Sequence, residues 1–253
     1  MNQLHRIAPI AASAIIFFLF ELVFKRPRAI DICGLIIPLI FFITIYYILG
    51  KNLKTPLARF KFLITPTLFA WSALAFSLLV ESAAARHILA FLVFIFLVLF
   101  FESIITYVWR HETYVGYSLE NLSAYALTLT VFLASASLIG FYILLDLNLG
   151  LIALFALLVF FPVNFELFWI GKLPVVPSLR CAGVLTLIFL ELFLVLALLP
   201  FHFIVAGAII TVLWYTAISL SRAHLLGIFS RKMLIRHLIL CGVLLLLLII
   251  SAQ

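Results

Sequence analysis

Aspartate is nearly missing from this chain. Only Asp31 and Asp146 occur in 253 residues, too far apart to form the aspartate-rich pair that holds Mg²⁺ against a diphosphate. Prenyl-transfer and phospho-alcohol-transfer chemistry of that kind is therefore disfavoured. Lysine is also scarce, and Lys25, Lys51, Lys54, Lys61, Lys172 and Lys232 all fall in expected loops or at helix ends. None is left for a Schiff base buried within a span, which removes a retinal-type pump. Cys33, Cys181 and Cys241 lie at different expected depths and lack metal-ligand spacing, so they read as small apolar filling. His111-Glu112 begins like a zinc-protease HExxH, but position 115 is Val and the second histidine is missing. There is no GxSxG elbow and no Walker A lysine loop. No metal or cofactor is expected from these residues.

Charge of either sign is low. Charged residues make up 10% and hydrophobic ones 68% of the chain, against about 25% and about 45–50% in a soluble domain. No water-soluble core of this length hides so much apolar surface, so lipid must be the solvent. In lipid every backbone polar group needs an internal partner, which leaves helices or a closed barrel. Barrel strands alternate polar and apolar residues over about ten positions. The apolar runs here are continuous and about twenty residues long, which specifies helices.

The stretch Ile7 to Phe24 resembles a signal sequence only superficially. It exceeds an h-region of about 7–15 residues, contains Glu21, and ends in Lys25-Arg26-Pro27-Arg28 without a small-residue cleavage site. It reads as a retained first span. The remaining spans are expected at Ile30 to Leu49, Phe62 to Val80, Ile88 to Val108, Leu122 to Leu145, Leu149 to Ile170, Leu179 to Leu199, Phe201 to Leu220, and Leu234 to Ser251. That makes about nine, with eight as the fallback because Arg236 and His237 shorten the last. The fold expected is an all-α polytopic transmembrane helix bundle, one integral membrane domain over residues 1–253 with no soluble domain.

Two joints follow from length alone. Leu122 to Ile170 as one helix would run roughly 73 Å, against a hydrocarbon core of about 30 Å. It must turn at Asp146-Leu147-Asn148-Leu149-Gly150, where Asn148 can cap the next helix. Leu179 to Leu220 must break at Pro200, a residue suited to a first helical turn.

With nine spans, the N-terminal side carries twelve Lys and Arg and the opposite side four. The positive-inside rule then puts the N-terminus in the cytoplasm and the C-terminus outside the cell membrane. Lys25-Arg26-Pro27-Arg28 opposes this assignment. Tyr46 and Tyr47, Tyr107 and Trp109, Trp169, and Trp214 with Tyr215 support it, as an aromatic belt at the ends of the even spans.

Among the polar residues, Glu191 stands alone in an apolar run, roughly 18 Å along its span. A carboxylate there costs at least about 2.5–3.5 kcal/mol on insertion scales, which calls for a partner or a function. The expected partner is the fifth span, where Glu120, Ser123, Thr130 and Ser137 form a polar stripe. The plainer reading of that stripe is hydroxyls bonded to their own backbone. Ala136 and Gly140 there form a small-xxx-small pair that permits close helix approach. Glu102, His111, Glu112, Asn164 and Glu166 could line a cytoplasm-facing site, although helix ends are where charges belong in any case. Glu21 reads as paired with Lys25 and Arg28. The segment Ser221 to His237 reads as a short interfacial helix on anionic lipid. The net charge of +7 is accounted for by topology, so no nucleic-acid partner is needed.

Function is not fixed by any motif. The reading ranked first is a non-catalytic scaffold or subunit of a larger complex, with a protein partner or a homo-oligomer. Second is a small lipid or solute transporter using Glu191 and the stripe of Ser123, Thr130 and Ser137. Third is a membrane-embedded enzyme acting through Glu102, His111, Glu112 and Glu166.

Overall fold

In the computed structural model, residues 3–49, 56–109, 114, 116, 118–171 and 173–251 are described. Among them are nine α-helices and no strand: α1 Gln3–Lys25, α2 Ile30–Leu49, α3 Pro56–Ser77, α4 Ala83–Trp109, α5 Ser118–Leu145, α6 Leu149–Ile170, α7 Val175–Leu198, α8 Phe203–Leu225 and α9 Arg231–Ser251. A 3-10 turn over Pro27–Ala29 joins the first two. Eight of the helices are long and apolar enough to cross a membrane, and in α3 the apolar stretch Phe62–Ser77 is shorter. The chain is thus an all-α protein whose helices have the length and composition of membrane spans.

The expected hairpins form where length demanded them. Asn148 caps α6, its side-chain oxygen accepting from the Gly150 N–H at 2.8 Å. Asp146 turns the chain with a positive φ of 50°. Pro200, however, does not start α8. It sits between Leu199 and Phe201, whose N–H donates to the Leu199 carbonyl at 2.7 Å in a three-residue turn. The helix begins at Phe203 behind a His202 cap, with Nδ1 accepting from the Ile204 N–H.

The separate interfacial helix expected over Ser221 to His237 is also absent. α8 runs on to Leu225 and α9 starts at Arg231, so the basic residues divide between two helix ends. The break is a Schellman motif. The Ile228 N–H donates to the Ala223 carbonyl and the Gly227 N–H to the His224 carbonyl, both at 3.0 Å. Gly227 has φ +70°, a conformation that L side chains disfavour. Ser230 then caps α9 by accepting from the Met233 N–H at 3.2 Å.

The chain divides into two compact units, 1–126 and 127–253, with the boundary inside α5. In the first, α1 packs against α4 and α2, and α2 against α3 and α4. The contact stripes repeat every three or four residues, with Ile16, Phe20 and Val23 on α1 and Val93, Leu97, Phe100, Phe101 and Ile104 on α4 all buried. Ring pairs fill the seams, including Phe41 with Phe101 at 5.9 Å and Phe69 with Phe96 at 4.6 Å.

In the second unit α6 packs on α7, α7 on α8, and α8 on α9. Ala156, Phe160 and Val163 of α6 and Ala182, Phe189 and Phe193 of α7 are buried. Lipid is as apolar as leucine, so these seams are held by shape and by polar contacts rather than by the hydrophobic effect. α5 and α8 come close at one point. A Cβ on Gly207 would lie 2.8 Å from the Ala136 Cβ and 2.9 Å from its backbone nitrogen, so Ala136 is a point of close backbone contact. α9 is the least covered helix, with 6% of its apolar window buried against 33% or more in the seven other helices long enough to span.

Candidate functional site

The most completely built polar site lies where α6, α7 and α8 meet. Asn164 on α6 is fully buried. Its Nδ2 donates to the Thr186 hydroxyl of α7 at 3.0 Å, and its Oδ1 accepts from the Trp214 indole N–H of α8 at 2.7 Å. Thr186 in turn donates to the Ala182 carbonyl at 2.7 Å. Each donor in this relay has an acceptor, as buried polar groups in lipid require. Glu166, two residues on, is also buried. At the end of α6 the Arg222 guanidinium packs over Gly171, where an added Cβ would meet Nη2 at 3.3 Å. That places a cation against the negative end of the α6 dipole.

Trp214 therefore does not belong to the aromatic belt. It is fully buried and lies eleven residues before the end of α8, about 16 Å down the helix at about 1.5 Å per residue. A span that ends at Leu220, as the apolar run suggests, places it near the interface. The pair Arg222 and His224 marks the true end of the helix. Tyr46, Tyr47 and Trp109 are exposed near helix ends as the belt requires, Trp109 donates to the Ile48 carbonyl at 2.8 Å, and Tyr215, exposed but ten residues from the end of α8, leaves the belt with Trp214.

Glu191 is placed differently from expectation. It is exposed and has no hydrogen-bond or ion-pair partner among the described residues. It sits on the outward stripe of α7 with Val184, Leu187, Ile188, Val195 and Leu198, each at least half exposed. Because α7 begins at Val175 rather than Leu179, Glu191 lies about 24 Å from its start and about 10 Å from its end. The α5 stripe points elsewhere. Ser123, Thr130 and Ser137 are all buried, and the Ser137 hydroxyl donates to its own Leu133 carbonyl.

No protein family, curated protein or solved structure matches this chain.

The acids and histidines expected to line a cytoplasmic site belong to two different units or lie outside the described residues. His111 and Glu112 lie outside the described residues. Glu102 is exposed on α4 in the first unit, and Glu166 is buried on α6 in the second. Among the described residues no three His, Cys, Asp or Glu side chains gather as a metal site.

Glu21 does not pair within its own helix. Its carboxylate meets the His87 Nδ1 at 2.6 Å, because α1 and α4 pack together and bring the second turn of α4 onto the last turns of α1. Phe24 sits edge-on to the same imidazole at 5.7 Å.

Glu120, read as the start of the α5 stripe, is engaged at the helix end. It accepts from the Tyr114 hydroxyl, which itself accepts from the Leu119 N–H at 3.2 Å. Tyr114 thus caps α5, and Glu120 in the first turn suits the positive end of the dipole. Burial, and then the bond to Glu120, push the Tyr114 phenol up from its usual value near 10.0. A phenol raised on folding binds its proton more tightly in the native state, so its contribution is complete below about pH 10 and is lost as pH rises beyond. Tyr114→Phe removes that dependence. Hydrogen exchange at the α5 N-terminus is expected to accelerate above pH 10 in the parent protein and to be fast but pH-flat, after correction for intrinsic exchange, in Tyr114→Phe.

Proposed function

We propose that this protein is a non-catalytic component of a multi-subunit membrane assembly, a scaffold or subunit. The observation that carries the reading is the outward position of Glu191. A transporter reading needs that acid inside the bundle beside the α5 stripe, and it stands on the opposite kind of surface. The interior polar groups around Asn164 are committed to holding α6, α7 and α8 in one arrangement, which suits a rigid platform. The low coverage of α9 adds a second surface on which another chain can lie.

The assignment of the N-terminus to the cytoplasm and the C-terminus to the outside of the cell membrane belongs to the same proposal. Under it, Arg222, Arg231, Lys232 and Arg236 cluster at the cytoplasmic turn between α8 and α9. Each adds about 1 kcal/mol of attraction to anionic lipid.

The test is extraction from native membranes in mild detergent, followed by native mass measurement. The expected particle is larger than one chain of 28.6 kDa plus detergent and contains a second polypeptide in fixed ratio. Recovery of the single chain alone at full yield contradicts the subunit role.

A further inference from the structure

We infer that the exposed face of α7 docks a transmembrane helix of another protein, one that carries a lysine or arginine at the depth of Glu191. The inference rests on the subunit reading and names the chemistry of the partner.

Depth is the first argument. α7 has 24 residues, about 36 Å, against a hydrocarbon core of about 30 Å. Centred in the membrane, it holds the Glu191 backbone some 7–8 Å inside the hydrocarbon from the nearer surface. That surface is at the C-terminal end of the helix. Side chains on an α-helix tilt toward the N-terminus, so the carboxyl leans away from the near interface and toward the bilayer centre. Snorkelling, which rescues long cations at helix ends, is not open to it.

Placement is the second. Val184, Leu187, Ile188, Val195 and Leu198 share the face and are exposed, so from Val184 to Leu198 Glu191 is the one polar group on that stripe, with Arg180 on the same face a turn nearer the helix start. Intramembrane acids almost always face a bundle interior, a water-filled cavity or a paired charge. Here the interior is packed by Phe189 and Phe193 on the opposite side of the same helix, and the carboxyl has no partner among the described residues. The interior it faces must be supplied by another chain.

A second copy of this protein does not supply it. In the shared membrane orientation the described Lys and Arg that a copy holds at that surface, Lys25, Arg26, Arg28 and Arg86, stand within one turn of a helix end, whereas Glu191 stands two turns inside its own. Its symmetry-related group at that depth is another Glu191. Charge complementarity therefore selects a foreign helix with a basic side chain, and a single buried charge pair also fixes register along the helix, its best-attested use.

The test is site-specific photocrosslinking in native membranes. Ile188 or Val195 on the α7 face is replaced by benzoylphenylalanine, and Leu240 on α9 is replaced in a parallel protein. The expected result is one discrete adduct from positions 188 and 195, whose crosslinked peptide contains lysine or arginine within an apolar segment. Adding Glu191→Leu is expected to lower its yield at least tenfold. Because Glu191 is exposed, the same variant keeps the thermal midpoint of the detergent-purified chain. Adducts to lipid alone, to a second copy, or to a peptide without a basic residue overturn the inference, as does an undiminished yield in Glu191→Leu. If Leu240 captures a foreign polypeptide while 188 and 195 do not, docking on α7 falls and the subunit role stands.

Discussion

Asn164→Leu is expected to destabilise the protein by about 1–3 kcal/mol, the range for leaving one buried donor without an acceptor. The orphan is the Trp214 indole N–H, which donates to Asn164 at 2.7 Å inside a fully buried site. Thr186 loses an incoming bond but keeps its own to Ala182, so it adds little. Interhelical hydrogen bonds in membranes average only about 0.6 kcal/mol. The larger part of the effect is therefore the unsatisfied donor rather than the bond itself. A double-mutant cycle separates the two. Trp214→Phe removes the donor, so adding it to Asn164→Leu costs less than the sum of the two single changes. Strict additivity in a reversible unfolding titration in detergent would show that the two side chains do not communicate.

Gly207→Ala is the second large effect. The new methyl would sit 2.8 Å from the Ala136 Cβ and within 3.0 Å of its backbone. Backbone cannot rotate aside as a side chain can, so α5 and α8 must separate, at the cost of about 1–3 kcal/mol typical of overpacking. Gly183→Ala on α7 is the control, since nothing stands within 4 Å of that position. A thermal midpoint lowered by Gly207→Ala and untouched or raised by Gly183→Ala is expected. Ala136→Gly in the Gly207→Ala background removes one of the clashing atoms and restores part of the loss.

The helices and their joints were legible in the sequence because they follow from arithmetic and turn chemistry. A span much longer than the bilayer must turn, and Asp146 to Gly150 was where it could. Asn148 as a cap and Ala136 as a point of close approach were readable for the same reason, since each depends on one residue's local chemistry. What the sequence hid was direction around each helix axis. In a soluble protein the polar face identifies the outside. In lipid the outside is as apolar as the inside, so α7 carries no stripe to show that Glu191 points outward. The sequence accordingly points Glu191 toward α5, and it presents Trp214 as a surface anchor although that ring is buried against Asn164. Thr186 drew no attention, because one hydroxyl in an apolar helix carries no signal until its neighbour is known. Tyr114 and Glu21 were missed or mispaired for a related reason, as their partners come from packing rather than from spacing along one helix.

The most direct test of the account is water accessibility at position 191. With Cys33, Cys181 and Cys241 replaced, Glu191→Cys is exposed to a hydrophilic maleimide in intact native membranes, with Leu147→Cys in the loop between α5 and α6 as the reactive control. The account predicts that the loop cysteine labels readily while the α7 position stays unmodified, covered by lipid or by a partner helix. Rapid labelling at 191 would mean that water reaches deep along α7, and would contradict the scaffold reading in favour of a transport path.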